Sequence, residues 1–189
     1  MCSMRVSQWV VLAGLMISAV DVEADTPVTI EWVELMPEHL LEALDNLPML
    51  EHDYSDDAVD PFTDEWNDPY ADAWNDILTS TEVVTRYADT VIRLPGYIVP
   101  LDIDDKQRVR SFFLVPYFGA CIHVPPPPPN QLIYVDEVPA EVNLRVEDMY
   151  TAYWLTGRLS LEINSHELGT AAYRVKMQTI ELYQYQFDE

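Results

Sequence analysis

The sequence predicts a mainly β protein: a small five-stranded antiparallel barrel, OB-like (oligonucleotide/oligosaccharide-binding) in form, behind a short helical and acidic N-terminal arm. Three observations carry that expectation. From Val83 onward apolar residues recur with period two, the repeat of a strand whose side chains alternate faces. Five such stretches follow one another, separated by polar or proline-rich turns. Gly157 inside the fourth, and a change of parity within the fifth, are what a strongly bent sheet demands.

Residues 1–24 read as a secretory signal peptide. Arg5 supplies the positive start, Trp9 to Val20 a short apolar run, and Val22-Glu23-Ala24 a small-residue cleavage site. The run is too short to cross a bilayer comfortably, so the mature chain is expected to begin at Asp25, with no stable membrane insertion after cleavage. Cleavage would remove Cys2, leaving Cys121 alone. A lone cysteine in an oxidising compartment is buried, metal-bound, reactive or paired with another chain.

Residues 25–82 form the expected arm. Val28 to Val33 has the composition of a short strand. Pro37 stands where a helix can begin, Leu40, Leu41, Leu44 and Leu47 follow at helical spacing, and Pro48 ends it. From Glu51 to Asp76 ten acidic residues occur without a Lys or Arg. Asp60 to Thr79 falls into tetrads that each begin with Asp and mostly carry an aromatic residue. As a helix these would set aspartates at i and i+4 against one another, with Pro61 and Pro69 interrupting, so a series of turns is expected.

The barrel domain is expected over residues 83–189. Val91 to Leu101 and Arg108 to Phe118 are apolar on both faces and read as central strands, joined by the polar turn Asp102 to Gln107. Gln131 to Val135 is a third strand and Tyr150 to Ile163 a fourth, with Tyr153, Leu155, Gly157, Leu159, Leu161 and Ile163 on one face. After a turn at Asn164 to Thr170, Tyr173, Val175 and Met177 share a face, but Ile180 and Leu182 take the other parity, the mark of a bulge.

Charge narrows the function. Lys and Arg total 10 against 33 Asp and Glu, a net charge of −23. Binding to phosphate backbones and anionic lipid is driven by basic side chains, so nucleic acid is excluded as a partner. Cationic partners and metal ions remain compatible.

The chemically distinctive stretch is Phe112 to Gln131. It runs from an apolar strand through Gly119, Cys121 and His123 into five prolines, then Asn130 and Gln131. Were the strand to continue, Cys121 and His123 would face the same way. Three readings stay open. In one, both bind zinc or copper, with His166 as a third ligand, Asp136 behind it, and His39 or His52 within reach from the arm. In the second, His123 activates Cys121 as a nucleophile or redox thiol. In the third, Cys121 fills a tight spot beside Gly119 and Ala120, the prolines bridge two strands in a polyproline II path, and Asn130 and Gln131 satisfy backbone groups. The same prolines either pack on the chain's own aromatics or dock into a partner's groove. No Gly-rich phosphate loop, serine elbow, HExxH or paired CxxC is present, so no catalytic or cofactor-binding residue is assigned.

Leu94-Pro95-Gly96-Tyr97-Ile98-Val99-Pro100-Leu101 and Phe113 to Pro125, continuing to Asn130-Gln131, resemble the exported bacterial proteins grouped as DUF3299, a domain-of-unknown-function family. The resemblance runs from about Trp32 to Tyr183, with the acidic tetrads expected to depart from the pattern. It implies a periplasmic location and no assigned catalysis. It further implies an accessory role near an ABC-type permease or metal homeostasis. The expected function is therefore a periplasmic, non-enzymatic accessory or partner-binding protein for an envelope process, with an envelope protein such as an ABC-type permease as partner. The alternatives are a zinc- or copper-binding protein and, third, a thiol-dependent enzyme or redox protein.

Overall fold

The computed structural model describes residues 26–46, 71–121 and 126–184. The signal segment, His52, His123, most of the acidic tetrads and the first proline of the run lie outside the described residues.

Five strands close on themselves. β1 (Val28–Thr29) belongs to the arm; the barrel is built from β2 (Val91–Ile103), β3 (Val109–Val115), β4 (Ile133–Val135), β5 (Ala152–Ser160) and β8 (Tyr173–Leu182), with a small hairpin of β6 (Asn164–His166) and β7 (Gly169–Ala171) between the last two. The order around the barrel is β2-β3-β4-β8-β5, and β5 returns to β2. One junction departs from the antiparallel expectation, since β4 pairs with β8 in parallel. The cause is parity: a closed ring of five strands cannot alternate direction at every junction, so one neighbouring pair has to run parallel.

Closure rests on one long, bent strand. The first half of β2, Val91 to Tyr97, pairs with β5, and the second half, Tyr97 to Ile103, pairs with β3. On the β3 flank the first half is free for β1, which pairs in parallel at Ile92 and Arg93. Pro95 falls in the gap between β1 and β3, where a missing N–H costs no ladder bond, and its carbonyl accepts from the Trp32 indole at 2.7 Å.

The parity change in the last strand is a bulge. Thr156 pairs with Thr179 and Gly157 with Met177, which leaves Gln178 as the extra residue. Gly157 sits at this point because a Cβ there would lie 2.4 Å from the Lys176 carbonyl oxygen. Inside, Ile92, Leu94, Ile98, Phe112, Leu114, Ile133, Leu155 and Val175 are almost completely hidden from water. Burying each such side chain contributes on the order of 1.5–3 kcal/mol, the main term holding the barrel closed.

The arm is bolted to the barrel through polar groups. Tyr173 is fully buried; its hydroxyl donates to the Leu35 carbonyl at 2.9 Å and accepts from the Val84 N–H at 2.6 Å. The strand expected over Val28 to Val33 stops at Thr29 and becomes a 3-10 turn at Trp32–Leu35, which puts Ile30 and Leu35 into the core. α1 spans Glu38–Asn46 after Pro37, as its leucine spacing predicts. Over Ala71–Thr79 the expected turns give way to a helix, α2. No proline occurs within it, and Ile77 is buried against Met36 and Leu40 of the arm. Burying Ile77 contributes on the order of 1.5–3 kcal/mol toward holding that helix in place. Between β4 and β5 the described chain carries a 3-10 turn at Val146–Tyr150 and no α-helix.

Candidate functional site

Alternation along β3 decides where a site can form. Phe112 and Leu114 point into the barrel, so Ser111, Phe113 and Val115 point out. An outward Phe beside the outward Val99 and Val115 must be covered or left wet. Here it is covered: Val99, Phe113, Val115, Ala120, Leu132 and Ala171 form a second buried cluster outside the barrel wall. The cover is made of the 116–121 turn, the proline segment and the β6–β7 hairpin.

Among the described prolines, the later ones pack against the barrel. Pro127 and Pro129 are buried, and Pro126 lies close enough to Gly169 that a Cβ there would approach the Pro126 Cβ at 3.3 Å and Leu132 at 3.2 Å. The Ala172 N–H donates to the Pro129 carbonyl at 2.8 Å. The Asn-Gln pair that ends the run ties the cover to the arm. Asn130 Nδ2 donates to the Glu82 carbonyl at 3.2 Å, and Gln131 Nε2 to the Trp32 carbonyl at 2.9 Å. This is the backbone-satisfying role read from the sequence.

Of the residues expected as metal ligands or thiol machinery, the structure describes Cys121, His166, Asp136 and His39. β3 ends at Val115, before Pro116, and the chain turns through Gly119 at φ +85° and Cys121 at φ +64°. The strand expected to carry Cys121 and His123 on one face therefore does not reach Cys121, and His123 lies outside the described residues. Cys121 is half-buried at the border of the Phe113 cluster, where burial pushes its thiol up to about 11. A thiol in that state is neutral at physiological pH, the opposite of an activated nucleophile. His166 sits on the exposed hairpin with its ring edge-on to Phe113, centroids 6.1 Å apart. Asp136 is committed to Arg174, which also pairs with Glu162 at 2.9 Å. His39 lies 3.2 Å from Glu82 on the arm surface. Among the described residues no three His, Cys, Asp or Glu side chains group together as metal ligands.

Two features of this face were not singled out from the sequence. The first is a cleft of about 210 Å³ between the end of β2, β3, β4 and the hairpin. Leu101 and Phe113 make its apolar side. Ser111 and Asp102 border it from the barrel, Tyr134 from β4, and Asn164, Ser165 and His166 from the hairpin. The Leu168 N–H donates to His166 Nδ1 at 3.2 Å, so the neutral ring carries its proton on Nε2. Asn164 Nδ2 donates to the Glu162 carbonyl at 3.1 Å, which leaves its side-chain oxygen as an acceptor. In barrels of this form, the face of the second and third strands and the loop between the fourth and fifth strands are where ligands bind. The cleft lies on the corresponding face, β3 and β4 under the hairpin.

The second feature is an exposed aromatic cluster where β3 ends and β5 begins. Phe118 stands edge-on to Tyr97 at 5.9 Å and tilted against Tyr150 at 5.7 Å between centroids. Phe118 is 47% exposed, Tyr117 45% and Tyr150 67%. A period-two reading could not find it, because Tyr117, Phe118 and Tyr150 lie in turns.

Comparison with known proteins agrees with this architecture. A family model described as a protein of unknown function, DUF3299, matches residues 32–182. The chain is similar to the crystal structure of a DUF3299 family protein, PA4066, from Pseudomonas aeruginosa PAO1, at 32% identity and a TM-score of 0.59, covering 86% of this chain and 99% of that one. No curated protein matches.

Proposed function

Because the chain belongs to the DUF3299 family, whose description assigns no activity, we propose a function from its surface: a periplasmic, non-enzymatic accessory protein that docks an envelope partner through the Tyr97–Phe118–Tyr150 cluster. The observation that carries this reading is the cluster itself. Aromatic rings left partly exposed beside one another are costly in water and are enriched at protein interfaces. With a net charge of −23, the partner surface that complements this one is basic around an apolar centre. An ABC-type permease or its periplasmic loops is the partner this reading names. Among the described residues no helix is long and apolar enough to cross a membrane.

The test is binding of purified protein to solubilised envelope membranes, with the retained proteins identified by mass spectrometry. The wild type is expected to retain a transporter subunit, and a Phe118→Ser/Tyr150→Ser variant to lose it while keeping its fold. Retention unchanged by the double substitution would overturn the reading.

A second reading, a zinc or copper site at Cys121, His123 and His166, is favoured by one observation: Cys121 and His166 both border the Phe113 cluster. The raised thiol pKa opposes it, since the thiolate is the form that ligates metal. Elemental analysis of untagged protein, with Cys121→Ser alongside, decides it: about one equivalent of metal present only in the wild type supports the site.

A further inference from the structure

We infer that the cleft between β3, β4 and the β6–β7 hairpin binds a neutral hydroxylated ring, the size of a single sugar unit. Its volume, about 210 Å³, falls below the roughly 300–1,000 Å³ of sites for drug-sized ligands, so it admits one small ring and not an extended chain. Its chemistry is mixed rather than one-sided. Asp102 and the Asn164 side-chain oxygen accept hydrogen bonds, His166 Nε2–H donates, and the hydroxyls of Ser111 and Tyr134 do either. A hydroxyl group both donates and accepts, so a ring bearing several of them matches such a set. A simple cation needs acceptors only, and an anion needs donors.

The apolar side supports the same choice. Phe113, itself hidden from water, meets Tyr134 edge-on at 6.0 Å and His166 at 6.1 Å, and so holds these two more accessible rings at the cleft, where the C–H face of a sugar ring can rest on them. Asp102 is available for this role, since no Lys or Arg forms an ion pair with it among the described residues. The strongly acidic chain disfavours phosphorylated or carboxylated sugars and leaves neutral ones. The inference is independent of the aromatic cluster around Phe118.

The shared chemistry fits a free monosaccharide and the terminal unit of a glycan, and the experiment separates them. Methyl α-glucoside, N-acetylglucosamine and the trisaccharide of each are titrated into the full chain, with amide chemical shifts of Ser111, Tyr134 and His166 as the readout. Arginine methyl ester serves as the cationic probe. Saturable shifts with at least one neutral sugar are expected, and binding about tenfold weaker in Asp102→Ala and weakened also in His166→Ala. Both side chains are exposed, so the variants keep the fold, which the remaining amide shifts report. A trisaccharide that binds more tightly than its monosaccharide identifies a glycan end; equal affinity identifies the free sugar. No saturable shift with any sugar, shifts indifferent to both substitutions, or binding of the arginine ester alone would overturn the assignment.

Discussion

Phe112 and Phe113 are sequence neighbours on β3, and both are completely hidden from water, but by different means. Phe112 is enclosed by the barrel strands themselves. Phe113 lies on the outer wall and is enclosed by a turn, a proline segment in which Pro127 and Pro129 are buried, and a hairpin. The inner burial needs only period two and a closed sheet. The outer burial needs irregular chain, whose own backbone groups must be satisfied one at a time, as Asn130 and Gln131 show. Irregular cover also brings polar side chains to an apolar wall. Hence the cleft, Cys121 and His166 all lie on the outer side.

The largest effects should fall on the inner side. Phe112→Ala is expected near the top of the range of about 3–5 kcal/mol for such truncations, and Phe113→Ala near the bottom, because prolines and hairpin can settle into the space. Denaturant unfolding of both variants checks this. Equal costs would mean that the cover is as rigid as the barrel.

Next comes the bolt between arm and barrel. Tyr173→Phe leaves the Leu35 carbonyl and Val84 N–H without their shared partner, at about 1–3 kcal/mol. Amide hydrogen exchange should accelerate at Val84 before it does within β5. Uniform acceleration would show that arm and barrel open as one unit.

The sequence made the inner side legible and the outer side only in part. Tyr153, Leu155, Gly157 and Leu159 alternate cleanly and the parity change after Met177 marks the bulge, but the same alternation overran the strand, since β5 ends at Ser160 and leaves Leu161 and Ile163 exposed. Five strands that close must include one parallel pair, but which pair was not legible, because that depends on the path of the intervening chain and leaves no local pattern. Asn130 and Gln131 were readable as backbone partners because their chemistry is local. The cleft was not, since Asp102, Ser111, Tyr134 and His166 meet only once the barrel has closed. Extending β3 through Cys121 failed for a reason visible in the sequence: Pro116 and Gly119 favour the turn that forms there.

Smaller effects sharpen the outer side. Cys121 should react with a neutral thiol reagent about a hundredfold more slowly than an unperturbed cysteine at pH 7, since burial lifts its pKa from 9.0 to about 11. Ordinary reactivity would reopen the thiol reading. The smallest effect belongs to the β2–β3 turn. Hydrogen bonds from the Arg108 side chain and backbone hold the Asp104 carboxyl at about 2, below its usual 3.8. A lowered carboxylate pKa contributes stability that is present above 3.8 and is lost as pH falls through about 2. Acid unfolding of Asp104→Asn should lack that part of the pH dependence; an unchanged profile would show that the turn contributes nothing.

The docking surface at the border of the cover is tested most directly by photocrosslinking in intact cells. A photoreactive residue at Tyr150, 67% exposed within the aromatic cluster, is compared with one at Ile163, 62% exposed outside it. A discrete adduct with a transporter subunit from Tyr150, absent from Ile163 and abolished by Phe118→Ser, is the predicted result. Identical adducts from both positions, or none from Tyr150, would contradict it.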